Sequence, residues 1–244
     1  MRPERAPLAP PAPAKGEEDR GSPRDGARVH AVLFDLDGTL VDTAPDLGGA
    51  LNLLRARHGL APLASELIRP QASHGARGLI QLGFDVDAAS PRFEPLRQEF
   101  LQLYADNLCR DSRPFPGIPE LLAEIEGRGL PWGVVTNKPA RFTEPLLALL
   151  DLAERAACIV SGDTCLEPKP HPAPMREAAR LCRAEPARCL YLGDAERDIQ
   201  AANNAGMPAL VATWGYLDAA DQPHVWGARA QIRHPLDTLA FLAG

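Results

Sequence analysis

From Val29 onward the chain alternates short apolar runs with longer segments whose apolar residues recur every three or four positions. The runs at 30–35, 132–136, 158–161, 189–193 and 209–213 are too short for helices and end in polar or glycine residues. Continuous apolar runs of this length mark strands covered on both faces. Segments 118–128, 143–150, 172–183 and 198–205 carry helical spacing and fall between the later runs. This alternation predicts a doubly wound α/β fold, a parallel sheet with helices on both sides.

One stretch breaks the alternation. After the first strand the next core helix does not start until residue 118, too long an interval for a structureless loop. Within it, 50–57 and 93–108 have helical spacing, and Phe93, Leu96, Phe100, Leu103 and Tyr104 form one stripe. No strand pattern is visible there. The expected organisation is a core of 28–45 plus 115–244, interrupted by a small α-helical domain at 46–114. Residues 1–27 are rich in Pro, Ala, Gly and mixed charge without apolar periodicity, which predicts a disordered tail. No internal repeat is evident.

Composition narrows the function classes. A formal charge of −6 argues against a nucleic-acid or acidic-membrane surface. No apolar run approaches the roughly 18 residues that a membrane helix needs. No apolar segment follows the N-terminal arginines, so a secretory signal is not expected and the protein reads as soluble and cytoplasmic. The five cysteines form no C-x-x-C pair and sit mostly in apolar contexts, as small buried hydrophobes do. Lysine occurs only at positions 15, 138 and 169, in a chain that otherwise uses arginine. A compact ammonium on a flexible stem is not interchangeable with a planar fork, so Lys138 and Lys169 are functional candidates.

The chemistry-bearing residues cluster where strands end. Asp35 and Asp37 straddle the end of the first strand in Asp35-Leu36-Asp37-Gly38-Thr39-Leu40, and Gly38 breaks the strand so that both acids can face one pocket. The C-terminal ends of parallel strands are where open α/β sheets bind ligands. One such acid can attack an electrophile while the other handles a proton; the same residues could also simply cap the next helix. The second strand ends in Thr136-Asn137-Lys138-Pro139, whose hydroxyl and amide can donate to a phosphate oxygen or serve as local caps. Lys169 lies between Pro168 and Pro170, which restrict the backbone on both sides of its ammonium. The fourth strand closes on Gly193-Asp194-Ala195-Glu196-Arg197-Asp198, putting Asp194 at the strand tip and Asp198 in the first turn of a helix. A helix N-terminus welcomes carboxylates in any case.

These four segments, in this order, resemble the four motifs of the haloacid dehalogenase-like superfamily, in the form its phosphatases carry. The resemblance covers residue 28 to the C-terminus, and Thr-Asn-Lys-Pro is closest to the phosphoglycolate-phosphatase-like branch. It implies a Mg²⁺-dependent phosphomonoester hydrolase on a Rossmann-like core, with the helical insertion as a cap that selects substrate. By the same resemblance Asp35 is the nucleophile that forms an aspartyl phosphate, and Asp37 is the general acid and base. Asp35, the backbone carbonyl of Asp37 and Asp194 are the implied metal ligands. Asp198 is implied to orient Lys169 or a metal-bound water, and Thr136, Asn137 and Lys169 to hold phosphoryl oxygens. One departure is Ala195, where many relatives have Asp or Ser. Retention of Asp37 separates the chain from the dehalogenases, whose halide leaves without a proton, but not from phosphomutases or a non-catalytic binding protein on the same scaffold.

Residues 130–142, together with Trp214-Gly215-Tyr216 and Trp226-Gly227-Ala228, resemble bacterial N-acetylmuramic acid 6-phosphate phosphatases. The implied substrate is that sugar phosphate, in peptidoglycan recycling, with 2-phosphoglycolate as the alternative. Both carry a carboxylate. Within the insertion, Ser73-His74-Gly75-Ala76-Arg77 is the most site-like segment, with Arg77 as the expected carboxylate contact and His74 as a helper.

Overall fold

A computed structural model describes residues 28–242; the expected tail lies outside the described residues. Six strands form one parallel sheet: β1 (Ala31–Phe34), β4 (Trp132–Val135), β5 (Cys158–Val160), β6 (Cys189–Gly193), β7 (Ala209–Ala212) and β8 (Ala230–Ile232). Their spatial order is β5-β4-β1-β6-β7-β8, and every pairing is parallel. The core helices α5 (Ile118–Gly127), α6 (Ala140–Leu149), α7 (Ala173–Leu181) and α8 (Glu196–Ala205) cover the two faces.

Strand alternation divides the core in two. Val32 and Phe34 of β1 and Leu190 and Leu192 of β6 pack into one apolar cluster with α5, α6 and the inserted helices. Ala31 and Leu33, with Cys189 and Tyr191, point into the other, against α7 and α8. Each fully buried Leu or Phe contributes about 1.5–3 kcal/mol, so both faces of these short strands help hold the sheet. The register then sets the site. Phe34 pairs with both Val134 and Leu192, so the residues just beyond these strands meet at one edge.

The insertion comprises α1 (Ala44–Arg57), α2 (Ser65–Ala72), α3 (Gly75–Phe84) and α4 (Phe93–Asp106). Its ends are joined by a two-stranded antiparallel ribbon, β2 (Val41–Asp42) with β3 (Arg113–Pro114). Buried Asp46 strengthens the closure by accepting from the amides of Asp111 and Ser112, at 2.8 and 3.0 Å. The stripe expected on the last inserted helix is present: Phe93, Leu96, Phe100, Leu103 and Tyr104 are its buried residues.

Several expectations need correction. β3 lies in a stretch where no strand was anticipated, because a two-residue strand has no period to show. α1 begins at Ala44, ahead of the spacing that suggested residue 50, with Pro45 tolerated in its first turn. Gly48 interrupts the apolar pattern there because the side chain of Ile68 from α2 packs against it. α2 carries an internal Pro70 and α3 three glycines, which hid both from propensity. The edge strand β8 also escaped notice, since only Ile232 of its three residues is buried. α6 starts at Ala140 and α8 at Glu196, each a little earlier than the pattern indicated.

Candidate active site

Asp35 leaves the end of β1 with its amide bonded to the Leu192 carbonyl at 2.8 Å. Its carboxylate accepts from Lys169 Nζ at 2.7 Å. The same ammonium lies 2.7 Å from Asp198 Oδ1, 2.8 Å from the Val135 carbonyl and 3.0 Å from the Tyr191 hydroxyl. Lys169 is almost fully buried, and Asn137 clamps its backbone in both directions: Nδ2 donates to the Lys169 carbonyl and Oδ1 accepts from its amide, each at 2.9 Å. Burial acts against the ammonium, but Asp198 and Asp35 outweigh it and hold its pKa above the usual lysine value. It is therefore a fixed positive charge at neutral pH.

Asp37 has different company. Its Oδ1 accepts from Thr43 Oγ1 at 2.5 Å and from Lys138 Nζ at 2.8 Å. Between the acids the chain turns at Gly38, whose φ is +91°, and a Cβ there would collide with the Asp194 carboxylate and the Tyr216 ring. Only glycine meets both demands.

Asp194, one residue past β6, accepts from Thr39 Oγ1 at 3.1 Å and from the Tyr216 amide at 2.8 Å. Asp35, Asp194 and Asp198 can bring one oxygen each within 4.8 Å of one another, and all three are buried. Burial, then the neighbouring carboxylates, push Asp194 up to about 8. Burial raises Asp35 to about 6 against the pull of Lys169. Three buried carboxylates, offset among the described residues by Lys169 and Arg197, offer hard oxygen ligands that suit a divalent cation of the oxygen-preferring class.

A cavity of about 620 Å³ opens above this edge, bounded by Asp35, Asp37 and Thr136 on the sheet side and by His74, Arg77 and Phe100 on the insertion side. Arg77 lines it from the first turn of α3, exposed and without an ion pair or hydrogen bond among the described residues. His74 precedes that helix, and burial together with Arg197 holds its imidazole below the usual range.

Asp35, Asp37, Thr136, Asn137, Lys169 and Arg77 thus border one cavity, with Asp194 and Asp198 beside Asp35. Thr136 is buried at the end of β4 and accepts from the Lys138 amide at 3.1 Å. Three partners were not assigned in advance. Sequence gives Lys138 as a functional candidate within Thr136-Asn137-Lys138-Pro139, without a partner. Arg197 donates to the Ser73 carbonyl at 2.7 Å, tying α8 to the turn before α3. Tyr216 caps α1, its hydroxyl accepting from the amides of Thr43 and Ala44. For Arg197 a signal is visible, a cation set between Asp194 and Asp198; Tyr216 stands in the Trp214-Gly215-Tyr216 run, but nothing local ties its hydroxyl to α1.

Comparison with known proteins agrees with this geometry. The family model for haloacid dehalogenase-like hydrolases matches residues 29–206. An N-acetylmuramic acid 6-phosphate phosphatase of Pseudomonas aeruginosa is 44% identical over 215 residues, covering 88% of this chain and 95% of that one. A phosphoglycolate phosphatase of Xylella fastidiosa is 43% identical over 205 residues, covering 84% and 89%. A crystal structure from Haemophilus somnus, described as a predicted phosphoglycolate phosphatase, superposes with a TM-score of 0.77 at 28% identity, covering 87% of this chain and 97% of that one. The chain belongs to the haloacid dehalogenase-like hydrolases. Within them it is a phosphatase, and its substrate is a phosphate ester.

Proposed function

We propose that the chain hydrolyses N-acetylmuramic acid 6-phosphate in the cytoplasm, with Mg²⁺, through an aspartyl phosphate on Asp35. The observation that carries the chemistry is the separation of the two acids: Asp35 pairs with Lys169, whereas Asp37 pairs with Lys138 and Thr43. Two carboxylates so close in sequence with unshared partners suit two different tasks.

In this reading Asp35 attacks phosphorus while Lys169, held by Asp198, offsets charge on the attacking carboxylate and the phosphoryl group. Thr136 and the free amide hydrogen of Asn137 donate to phosphoryl oxygens. Asp37 gives its proton to the leaving oxygen, then takes one from the water that cleaves the acyl phosphate. Asp35, Asp194 and the Asp37 carbonyl would hold Mg²⁺, which when bound supplies positive charge where a carboxylate meets a phosphate dianion. The four inserted helices, closing the cavity from above, act as the cap, and Arg77 contacts the substrate carboxylate.

The curated relative at 44% identity and the cavity volume favour the amino-sugar ester, since a two-carbon ester leaves most of the space unfilled. The names of the Xylella and Haemophilus relatives favour 2-phosphoglycolate as the second reading. Initial rates on both esters with Mg²⁺, with and without a sugar bisphosphate, decide between them. A higher kcat/KM on N-acetylmuramic acid 6-phosphate is expected; preference for 2-phosphoglycolate selects the second reading, and activity only with the bisphosphate identifies a mutase.

A further inference from the structure

The carboxyl of Asp37 is held asymmetrically. Both of its donors, Lys138 Nζ and Thr43 Oγ1, converge on Oδ1 at 2.8 and 2.5 Å. Oδ2 receives no hydrogen bond among the described residues, and Asp37 borders the cavity. The donors come from different elements: Lys138 follows β4, and Thr43 is the N-cap residue of α1. Lys138 is itself confined, its side chain only 7% exposed and its ammonium 4.6 Å from the centre of the Tyr104 ring on α4. A cation placed over an aromatic face is attracted to it. With Asp37 on one side and that ring on another, the ammonium has little freedom to follow a substrate.

From this geometry we infer that Lys138 is a positioning residue for the proton-transfer steps, acting through Asp37 together with Thr43. The inference rests on the assignment of Asp37 as the acid and base. Two donors on Oδ1 occupy that oxygen as an acceptor, so the exchangeable proton resides on Oδ2. During ester cleavage the Asp35 oxygen bonds to phosphorus, the bond between phosphorus and the leaving oxygen breaks, and the proton passes from Oδ2 to the leaving oxygen. During breakdown of the aspartyl phosphate, a water oxygen bonds to phosphorus, the bond to the Asp35 oxygen breaks, and the water proton returns to Oδ2. Lys138 and Thr43 remain on Oδ1 throughout and hold the carboxyl from rotating.

Leaving-group dependence tests this, because a nitrophenolate departs without a proton and an alkoxide does not. We would measure kcat/KM on nitrophenyl, phenyl and alkyl phosphates for the wild type, Asp37→Asn, Lys138→Met and Thr43→Val, with folding checked by circular dichroism. General acids contribute about 10²–10⁴-fold, and misplacing a catalytic group by about 1 Å can cost about 10²-fold. Lys138→Met is therefore expected to lose about 10²-fold on alkyl phosphates and only a few-fold on nitrophenyl phosphate. Thr43→Val should shift the series in the same direction, and it carries the comparison if Lys138→Met does not fold. Uniform losses across the series in Lys138→Met, with Asp37→Asn steep, would overturn the positioning role and leave the acid intact. A flat series in Asp37→Asn would overturn both.

Discussion

The C-terminal edge of the sheet and the inserted helices facing it hold the cations Lys169 and Arg77 in opposite ways. At the edge, Lys169 contacts Asp35, Asp198, a carbonyl and a hydroxyl and is almost completely enclosed. Across the cavity Arg77 is exposed, with no ion pair or hydrogen bond among the described residues. Register between parallel strands places the first group, so its geometry is as rigid as the sheet. The second group rides on the inserted helices, whose polar contacts with the core include Arg197 to Ser73, Lys138 against Tyr104, and Arg69 to Asp42. On the proposed reading, the contrast separates phosphoryl chemistry at the edge from recognition of the rest of the substrate above it.

The sharpest way to break the edge is to remove its proposed nucleophile. Asp35→Asn should lower kcat by at least about 10⁴-fold, as loss of a covalent nucleophile does, with the fold retained by circular dichroism. Wild-type turnover in that variant would remove Asp35 from the role.

Metal binding probes the same edge through pH. Asp35 and Asp194 have folded-state values of about 6 and about 8, above their usual 3.8. A raised acid contributes stability that is complete below its unfolded pKa and is lost as pH rises through the folded value. Metal-free protein should thus lose this contribution as pH rises through about 6 and then about 8. If Mg²⁺ occupies this site, as proposed, it binds the ionised carboxylates, so its stabilisation should be larger on the alkaline side of that window; at 100 times Kd it amounts to about 2.7 kcal/mol. Melting curves with and without Mg²⁺ at both ends of the window check this, and an equal shift at both would place the metal elsewhere.

Recognition should respond more gently. If Arg77 contacts the substrate carboxylate, as proposed, Arg77→Ala removes a charge-assisted contact of about 1.5–3 kcal/mol, or about one to two decades of kcat/KM on a carboxylate-bearing ester. Hydrolysis of an aryl phosphate lacking a carboxylate should be spared. Equal losses on both would assign Arg77 to structure.

The smallest effect is expected where the insertion joins the core at the surface. Arg69 pairs with Asp42 at 2.9 Å while 39% exposed, with its guanidinium near the rings of Phe115 and Tyr216. Arg69→Ala should cost no more than about 1 kcal/mol in urea unfolding, because solvent screens such pairs. A larger loss would show that this contact carries the docking of α2.

The parallel core was legible from sequence because each buried strand is a short apolar run, and each chemical residue sits where such a run stops. Asp35, Thr136 and Asp194 could be located for that reason without coordinates. Local pattern also found α4, whose stripe has helical period. It did not find α2, α3, β3 or β8, where Pro70, the glycines of α3, a two-residue length and an exposed edge leave no period to read. What only the tertiary structure decided is pairing. Nothing local joins Lys138 to Asp37 across 101 positions, Lys169 to Asp35 across 134, or Arg197 to Ser73 across 124. Those contacts depend on strand register and on the docking of the insertion, which are set by the packing of the whole apolar core. Sequence by itself determined which side chains stand at the strand ends; the fold decided which acid each cation holds.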